Sequence, residues 1–167
     1  MQDSEKTGSE ESTFEEYVKT CTLSTWKGIA VGVDSTYASA IVFERALELA
    51  ASTCSKLYVL HVVPTILPFA EKSNIAIDPG IEDVMFKETQ ELFDSIKKRM
   101  KERNVEGETI LLEGDPATEI LNFIKENKIG LMVLGSKERP KSPYYLGSVS
   151  KKVSEECSCS VLVERIS

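Results

Sequence analysis

Residues 133–153 read VLGSKERPKSPYYLGSVSKKV, and this stretch carries a short apolar run into the start of a helix. The run ends at Gly135, a basic loop with two prolines follows, and Gly147-Ser148 opens the helical pattern. Such a turn often holds a phosphate, because the first backbone N–H groups of a helix lack partners and favour an anion. The stretch therefore predicts a strand–helix unit of an α/β sheet, whose turn is either an anion site or a plain helix start.

The same alternation of strand and helix continues along the chain from Gly28. Five short apolar runs are typical of buried parallel strands: GIAVGV (28–33), KLYVLHVV (56–63), ETILLEG (108–114), IGLMVLG (129–135) and CSVLVERI (159–166). Strand–helix–strand units cross over right-handed. The alternation therefore predicts a doubly wound α/β domain, with a five-stranded parallel sheet covered by helices on both faces.

Four apolar stripes with helical spacing lie between these runs. The stripes are Ala38, Val42, Ala46, Leu49 and Thr53; then Ile81, Met85, Thr89, Leu92, Ile96 and Met100; then Ile120, Leu121 and Ile124; and last Leu146, Val149, Val153 and Cys157. The second helix should run from about Gly80 to Arg103. Asp115-Pro116 should begin the third, since a capping acid followed by proline is a favoured helix start.

Length and charge limit the class of protein. The 167 residues predict one domain with a proper core. A formal net charge of −7 argues against nucleic acid as a partner, because its binders need a basic face. The chain shows no apolar run near the roughly 20 residues of a membrane span and no secretory signal. We therefore expect a cytoplasmic protein without a membrane partner.

The N-terminal 26 residues differ from the rest of the chain. They contain six acidic residues against two lysines and few apolar residues. Such a composition is typical of disorder. We expect an acidic, disordered extension at 1–26 and a single domain at 27–167.

The cysteines and the single histidine offer few chemical sites. Cysteines at 21, 54, 157 and 159 match neither a disulfide framework nor a pair of C-x-x-C zinc knuckles. Cys157 and Cys159 are either a metal or redox pair or two small buried hydrophobes, and the second interpretation is favoured. His61 lies within an apolar strand, where a hydrogen-bonded structural histidine is the favoured interpretation.

Ligands of doubly wound sheets bind beyond the carboxyl ends of the strands, where the strand order reverses. At the first such end, Asp34 either accepts hydrogen bonds from an adenine or ribose, or caps a helix that begins near Thr36. At the fourth, Gly147, Ser148 and Val149 either hold a phosphate or form a serine-capped helix start. Basic residues of the preceding loop either meet that phosphate or face solvent: Lys137, Arg139 and Lys141.

Other nucleotide motifs are missing from the sequence. It contains no G-x-x-x-x-G-K-[ST], which excludes a Walker-type NTPase. The turn GVDSTYAS (32–39) lacks the G-x-G-x-x-G of dinucleotide folds. An adenylating enzyme with an S-G-G-x-D-S loop is disfavoured, because Ala30 and Val31 occupy its serine and glycine positions.

Four segments, in order and spacing, resemble the universal stress protein family over residues 27–166. They are KGIAVGVDSTYASAIVFERALELA, LYVLHVV, EGDPATEIL, and GLMVLGS followed by LGSVSKKVSEECSCSVLV. The resemblance implies a Rossmann-like fold, similar to that of adenine nucleotide alpha hydrolases, with strand order 3-2-1-4-5. It also implies a site for ATP or another adenine nucleotide, with Mg²⁺ as an optional companion.

The resemblance assigns roles to individual residues. Nucleotide-binding members show G-x-x-G, nine residues, then G-[ST]; Gly135 matches the first glycine and Gly147-Ser148 the closing pair. Glu138 stands at the second glycine and is separated from Gly147 by eight residues. The implied ligand set has Asp34 and Val62 at the adenine, Gly135 at the ribose, and Ser148 and Val149 at the phosphates. Gly147 belongs to the matching pair, and Lys137 joins the candidate site as the first basic residue of the preceding loop.

The resulting functional prediction is a small dimeric stress-response regulator that binds an adenine nucleotide. The sequence shows no positioned general base near the phosphate site, so any ATP hydrolysis should be slow. The alternative is a dimeric stress or scaffold protein that binds no nucleotide and acts through protein partners. The predicted dimer pairs residues 160–166 at the sheet edge, unless the N-terminal segment around Phe14 and Tyr17 covers that edge.

Overall fold

The computed structural model describes residues 26–63, 65, 79–137 and 146–166. Strands and helices alternate through these residues, as the apolar runs predicted. In chain order they are β1 (Gly28–Val33), α1 (Tyr37–Thr53), β2 (Lys56–Val63), α2 (Pro79–Glu102), β3 (Gly107–Glu113), α3 (Pro116–Asn127), β4 (Leu131–Lys137), α4 (Ser148–Glu156) and β5 (Ser160–Ile166).

The strands of the described part form a parallel sheet in the order β3-β2-β1-β4-β5. This confirms the doubly wound fold and the strand order 3-2-1-4-5. In the central strand, Val31 is in register with Val59 of β2 and Val133 of β4. The chain order reverses between β1 and β4, so a ligand is expected beyond the carboxyl ends of these two strands.

Side chains of the strands pack into two cores, one on each face of the sheet. The core under α1 and α2 takes from the strands Ile29, Val31, Val33, Leu57, Val59, Leu131 and Val133. The core under α3 and α4 takes from them Ala30, Leu60, Met132 and Leu134. Because both faces are covered, the central strands are continuous apolar runs rather than alternating ones.

The predicted positions of α2 and α3 are close to the observed ones. The Asp115 carboxylate accepts a hydrogen bond from the Thr118 backbone N–H at 3.0 Å, and Pro116 occupies the first turn. This confirms the predicted start of α3. Helix α2 spans Pro79–Glu102, one residue earlier at each end than predicted.

The buried face of α1 is wider than the predicted stripe. Its buried residues are Val42, Phe43, Ala46, Leu47 and Ala50. Leu49 and Thr53, which the stripe included, are only half-buried. A helix that lies flat on a sheet buries residues on both sides of its central stripe, and this places Phe43 and Leu47 in the core.

Two further sequence expectations concern the chain as a whole. No helix in the described part of the chain is both long and apolar enough to pass through a membrane. The predicted acidic extension lies outside the described residues except for Trp26, whose side chain packs against Gly130 and the core under α1. The division into an extension at 1–26 and a domain at 27–167 stays a prediction.

Candidate functional site

A cleft of about 480 Å³ opens at the carboxyl ends of β1 and β4. Its size is within the roughly 300–1,000 Å³ of small-molecule sites. Six of the seven predicted ligand residues line it: Asp34, Val62, Gly135, Gly147, Ser148 and Val149. The seventh, Lys137, ends β4, but its side chain lies outside the described part, as do Glu138, Arg139 and Lys141.

The inner wall of the cleft is apolar and comes from both faces of the sheet. Leu60 and Leu134 come from the strands, Ile120 from α3 and Val42 from α1. All four are buried in the two cores. An apolar ring that enters the cleft would therefore contact side chains whose positions are already fixed by core packing, as is usual for a pre-formed ligand site.

Asp34 lies at the rim of the cleft in a network of local hydrogen bonds. Its Oδ1 accepts hydrogen bonds from the Thr36 backbone N–H at 2.9 Å, the Ser39 hydroxyl at 2.7 Å and the Thr36 hydroxyl. The Asp34 backbone N–H donates in turn to Ser39 Oγ at 2.9 Å. The carboxylate is therefore held in one orientation before any ligand arrives.

The N-cap of α1 is Thr36 rather than Asp34. The Thr36 Oγ1 accepts from the Ser39 backbone N–H at 3.3 Å. The interpretation that Asp34 itself caps the helix is wrong. Asp34 instead orients the capping threonine, since Thr36 donates both its N–H and its hydroxyl to the carboxylate.

The N-terminus of α4 forms the opposite rim of the cleft. Gly147 is the N-cap, with φ −60° and ψ 161°, and no side chain of the described residues caps the helix. Ser148 is the first helical residue, so the interpretation of a serine-capped start is wrong. The first backbone N–H groups of α4, from Ser148 and Val149, are thus available to an anion at the positive end of the helix dipole.

A hydrogen bond attaches this helix end to the sheet. The buried hydroxyl of Ser150 donates to the carbonyl oxygen of Gly135 at 2.8 Å. Gly135 itself lies so close to α1 and β5 that an added Cβ would be 2.8 Å from Val42 Cγ2 and 3.1 Å from Ile166 Cδ1. The absence of a side chain at Gly135 therefore has a packing reason that the sequence did not reveal.

A cation in the middle of α4 contacts the start of α3 beside the cleft. Lys152 Nζ donates to Thr118 Oγ1 at 3.2 Å and lies 3.6 Å from Asp115 Oδ1. Hydrogen bonds from Thr118 hold the pKa of Asp115 below its ordinary value, and Lys152 lowers it further. The N-terminus of α3 is thereby connected to α4 through ionised groups.

Several cleft residues were missed by the sequence analysis. Pro116 lies just beyond the end of β3, Ile166 ends β5, and Ser39 lies in the first turn of α1. Each lies at or just beyond the carboxyl end of a parallel strand. Ligand-site residues of such a sheet therefore extend from the last strand residue into the first turn of the following helix.

The side chain of His61 is held by contacts within the fold. The Nδ1–H of His61 donates to the Val33 carbonyl oxygen at 3.0 Å, and its ring packs edge-on against Phe93. This matches the predicted structural histidine. Within the described ranges, no cluster of three or more His, Cys, Asp or Glu side chains could hold a metal ion.

Comparison with known proteins assigns the family. The universal stress protein family model matches residues 25–165. The chain belongs to the universal stress protein family. The universal stress protein YxiE of Bacillus subtilis is 33% identical over 142 residues, covering 81% of this chain and 96% of its own length.

Solved structures of the family share the fold. The Archaeoglobus fulgidus universal stress protein in complex with dAMP superposes with a TM-score of 0.60 at 23% identity, covering 83% of this chain and 98% of its own. An Arabidopsis thaliana family protein with AMP bound gives a TM-score of 0.58 at 20% identity, covering 84% and 92%. At these identities the likeness shows the fold.

Proposed function

We propose that the cleft binds an adenine nucleotide and that the protein acts as a small cytoplasmic stress-response regulator. The observation that carries this proposal is the position of the α4 N-terminus, where Gly147 is the N-cap and no side chain of the described residues caps the helix. It forms one rim of an apolar cleft at the switch point between β1 and β4. Anions are favoured at such helix ends, and an apolar wall suits a planar base.

The orientation of the nucleotide follows from the polarity of the two rims. The adenine and ribose lie toward Asp34 and Val62, where a carboxylate and an apolar side chain line the cleft. The ribose lies beside Gly135, which lines the cleft between the two rims. The phosphates contact the backbone N–H groups of Ser148 and Val149, with Gly147 and the Lys137 of the preceding strand end beside them.

The ligand class rests on the chemistry of the cleft and on the solved neighbours that hold dAMP and AMP. Among the described residues of the cleft, the N-terminus of α4 is the helix end that this proposal assigns to an anion. One such end suits a monophosphate or the first phosphates of ATP.

A binding role is favoured over an enzymatic one, and any ATP hydrolysis should be slow. Among the described cleft residues, Asp34 is the only carboxylate, and its Oδ1 already accepts three hydrogen bonds. Nucleotide-bound Mg²⁺ takes one or two carboxylates besides phosphate oxygens. This proposal places Asp34 at the adenine and ribose rather than at the phosphates, so it assigns Mg²⁺ no ligand among the described cleft residues.

The proposed assembly is a homodimer through residues 160–166. Strand β5 is the last strand of the sheet and pairs with β4 along one side. Its other side is the edge at which a second copy would add an antiparallel strand about a two-fold axis. Such a contact pairs the same backbone groups of both copies.

Nucleotide carried through purification tests the proposal. The full chain, Gly147→Val and Ala51→Val are purified without added nucleotide, and released small molecules are identified by mass spectrometry. Ala51→Val adds the same side chain at an exposed position of α1, away from the cleft. We expect an adenine nucleotide with the wild type and Ala51→Val, and less with Gly147→Val.

The opposite result supports the alternative function. If the wild type carries no nucleotide and binds none when AMP or ATP is added, nucleotide binding is wrong for this cleft. A dimeric protein with that behaviour would act through protein partners.

A further inference from the structure

Two thiols meet at the junction between α4 and β5. Cys157 is the C-cap of α4, and Cys159 directly precedes the first residue of β5. Their Sγ atoms lie 3.1 Å apart, and no disulfide joins them. Both side chains are half-buried against the core under α3 and α4.

The backbone on both sides of the pair is fixed. The Cys157 N–H donates to the Val153 carbonyl oxygen at 2.9 Å, which completes the last turn of α4. The Ser160 N–H donates to the Gly130 carbonyl oxygen at 3.2 Å, which joins β5 to the start of β4. The thiols are therefore held together by secondary structure rather than by chance contact.

Packing alone does not account for this arrangement. Two buried hydrophobes could turn away from each other, whereas these sulfur atoms need to approach by only about 1 Å to reach the 2.03–2.05 Å of a disulfide bond. A metal site is disfavoured because the described residues provide no third ligand of the His, Cys, Asp or Glu type. The pair differs in this respect from Cys54, an exposed cysteine at the end of α1.

We propose that Cys157 and Cys159 form a reversible disulfide when the protein meets hydrogen peroxide. The Cys157 thiolate attacks one peroxide oxygen, the O–O bond breaks, and the departing hydroxide takes up a proton to become water. The sulfur of Cys159 then attacks the resulting sulfenic acid, forms the S–S bond, loses its proton and releases a second water. Two thiols are oxidised and one peroxide is reduced.

The order of attack follows from the surroundings of the Cys159 sulfur atom. Burial raises the pKa of the Cys159 thiol to about 12, and the hydrogen bond with Cys157 adds to the effect. Cys159 is therefore protonated at neutral pH and is a poor first nucleophile. It is instead the resolving thiol, held against the sulfur that peroxide oxidises.

The proposal fits the reducing compartment that the sequence predicts. Disulfides in cytosolic proteins are usually transient and serve catalysis or redox sensing. The pair joins α4, whose first residues line the cleft, to β5, whose Ile166 also lines it. The modification site is thus connected to the cleft by both elements, but its chemistry does not depend on nucleotide binding.

Oxidation of a chain that retains only this pair tests the proposal. The full chain with Cys21→Ser and Cys54→Ser is treated with hydrogen peroxide, and its thiols and intact mass are followed. We expect both thiols to disappear together, with the loss of two hydrogen atoms and no disulfide between chains. Dithiothreitol should restore both thiols.

Two further chains assign the roles and provide the control. In the same background, Cys159→Ser should leave Cys157 as a sulfenic acid that dimedone traps, whereas Cys157→Ser should react roughly tenfold more slowly. A chain whose only cysteine is Cys54 should gain oxygen rather than lose hydrogen. Addition of oxygen to the pair without loss of hydrogen would overturn the proposal. So would disulfides between chains, or a pair that stays reduced after Cys54 is fully oxidised.

Discussion

Gly135 of β4 and Val42 of α1 are packed so closely that a Cβ on the glycine would lie 2.8 Å from Val42 Cγ2. Both residues line the cleft. The contact sets how near α1 lies to the end of β4, and therefore how wide the cleft is at the strand switch point. A glycine that sequence motifs associate with a ligand is thus also required by the protein's own packing.

Substitution of Gly135 by alanine tests this packing. We expect Gly135→Ala to lower the free energy of unfolding by about 1–3 kcal/mol, because overpacking forces neighbouring atoms to shift. Val42→Ala removes the obstructing methyl groups, so the same substitution should cost at least about 1 kcal/mol less in that background. Urea unfolding of the four chains measures the coupling.

Val59→Ala is the matched control for this cycle. Val59 is fully buried in the same core, but it lies on β2, with β1 between it and β4. The loss of unfolding free energy caused by Val59→Ala should therefore add to the loss caused by Gly135→Ala. Equal costs of Gly135→Ala in the wild-type and Val42→Ala backgrounds would show that the valine is not the obstacle.

The charge of Asp115 should make stability depend on acid pH. Its folded-state pKa lies below the ordinary value, mainly through hydrogen bonds from Thr118 and then through Lys152. The ionised group therefore stabilises the fold above the unfolded pKa of about 3.9. This contribution disappears as the pH falls through the lower folded-state pKa.

Asp115→Asn isolates this charge, because asparagine caps helices about as well as aspartate. We expect its free energy of unfolding to fall less than that of the wild type when the pH is lowered from neutral to acid. Glu126→Gln, an exposed change at the other end of α3, should keep the wild-type profile. Identical acid profiles for Asp115→Asn and the wild type would exclude the effect.

The proposed dimer can be tested on the backbone of β5. The Ser160 N–H points to β4, so by alternation along the strand the Val163 N–H points to the open edge. Val163→Pro removes that donor and should give a monomer in sedimentation, while Val163→Ala keeps it and should remain dimeric. If the N-terminal segment around Phe14 and Tyr17 covers this edge instead, the full chain should be monomeric and should associate only after residues 1–25 are removed.

The fold could be predicted from sequence because its signals are local. Val31 and Val133 are fully buried, and burial on both sheet faces produces the continuous apolar runs that marked the strands. The Asp115-Pro116 start of α3 likewise depends on neighbouring residues alone. Strand order came from the family resemblance, since several orders are compatible with the same alternation.

Details of the site were harder to predict because they depend on distant contacts. The choice of Thr36 over Asp34 as the cap of α1 depends on how Ser39 completes the network. The start of α4 is set by the Ser150 hydrogen bond to Gly135, fifteen residues earlier in the chain. Contacts of this kind have no periodic signal.

The central claim is that nucleotide phosphates lie on the N-terminus of α4. Gly147 has an extended conformation open to any residue, and a Cβ there meets no described atom within 4 Å. Gly147→Val should therefore fold, with a loss of about 1 kcal/mol or less from the poorer cap. Its side chain would occupy the space that the phosphates need.

Calorimetric titration of the wild type, Gly147→Val and Ala51→Val with AMP and with adenosine is the most direct measurement of this claim. The account predicts AMP binding that is equal for the wild type and Ala51→Val. It predicts at least tenfold weaker AMP binding by Gly147→Val, about 1.4 kcal/mol, with a smaller change for adenosine, which has no phosphate. A correctly folded Gly147→Val that binds AMP with unchanged affinity would contradict the account.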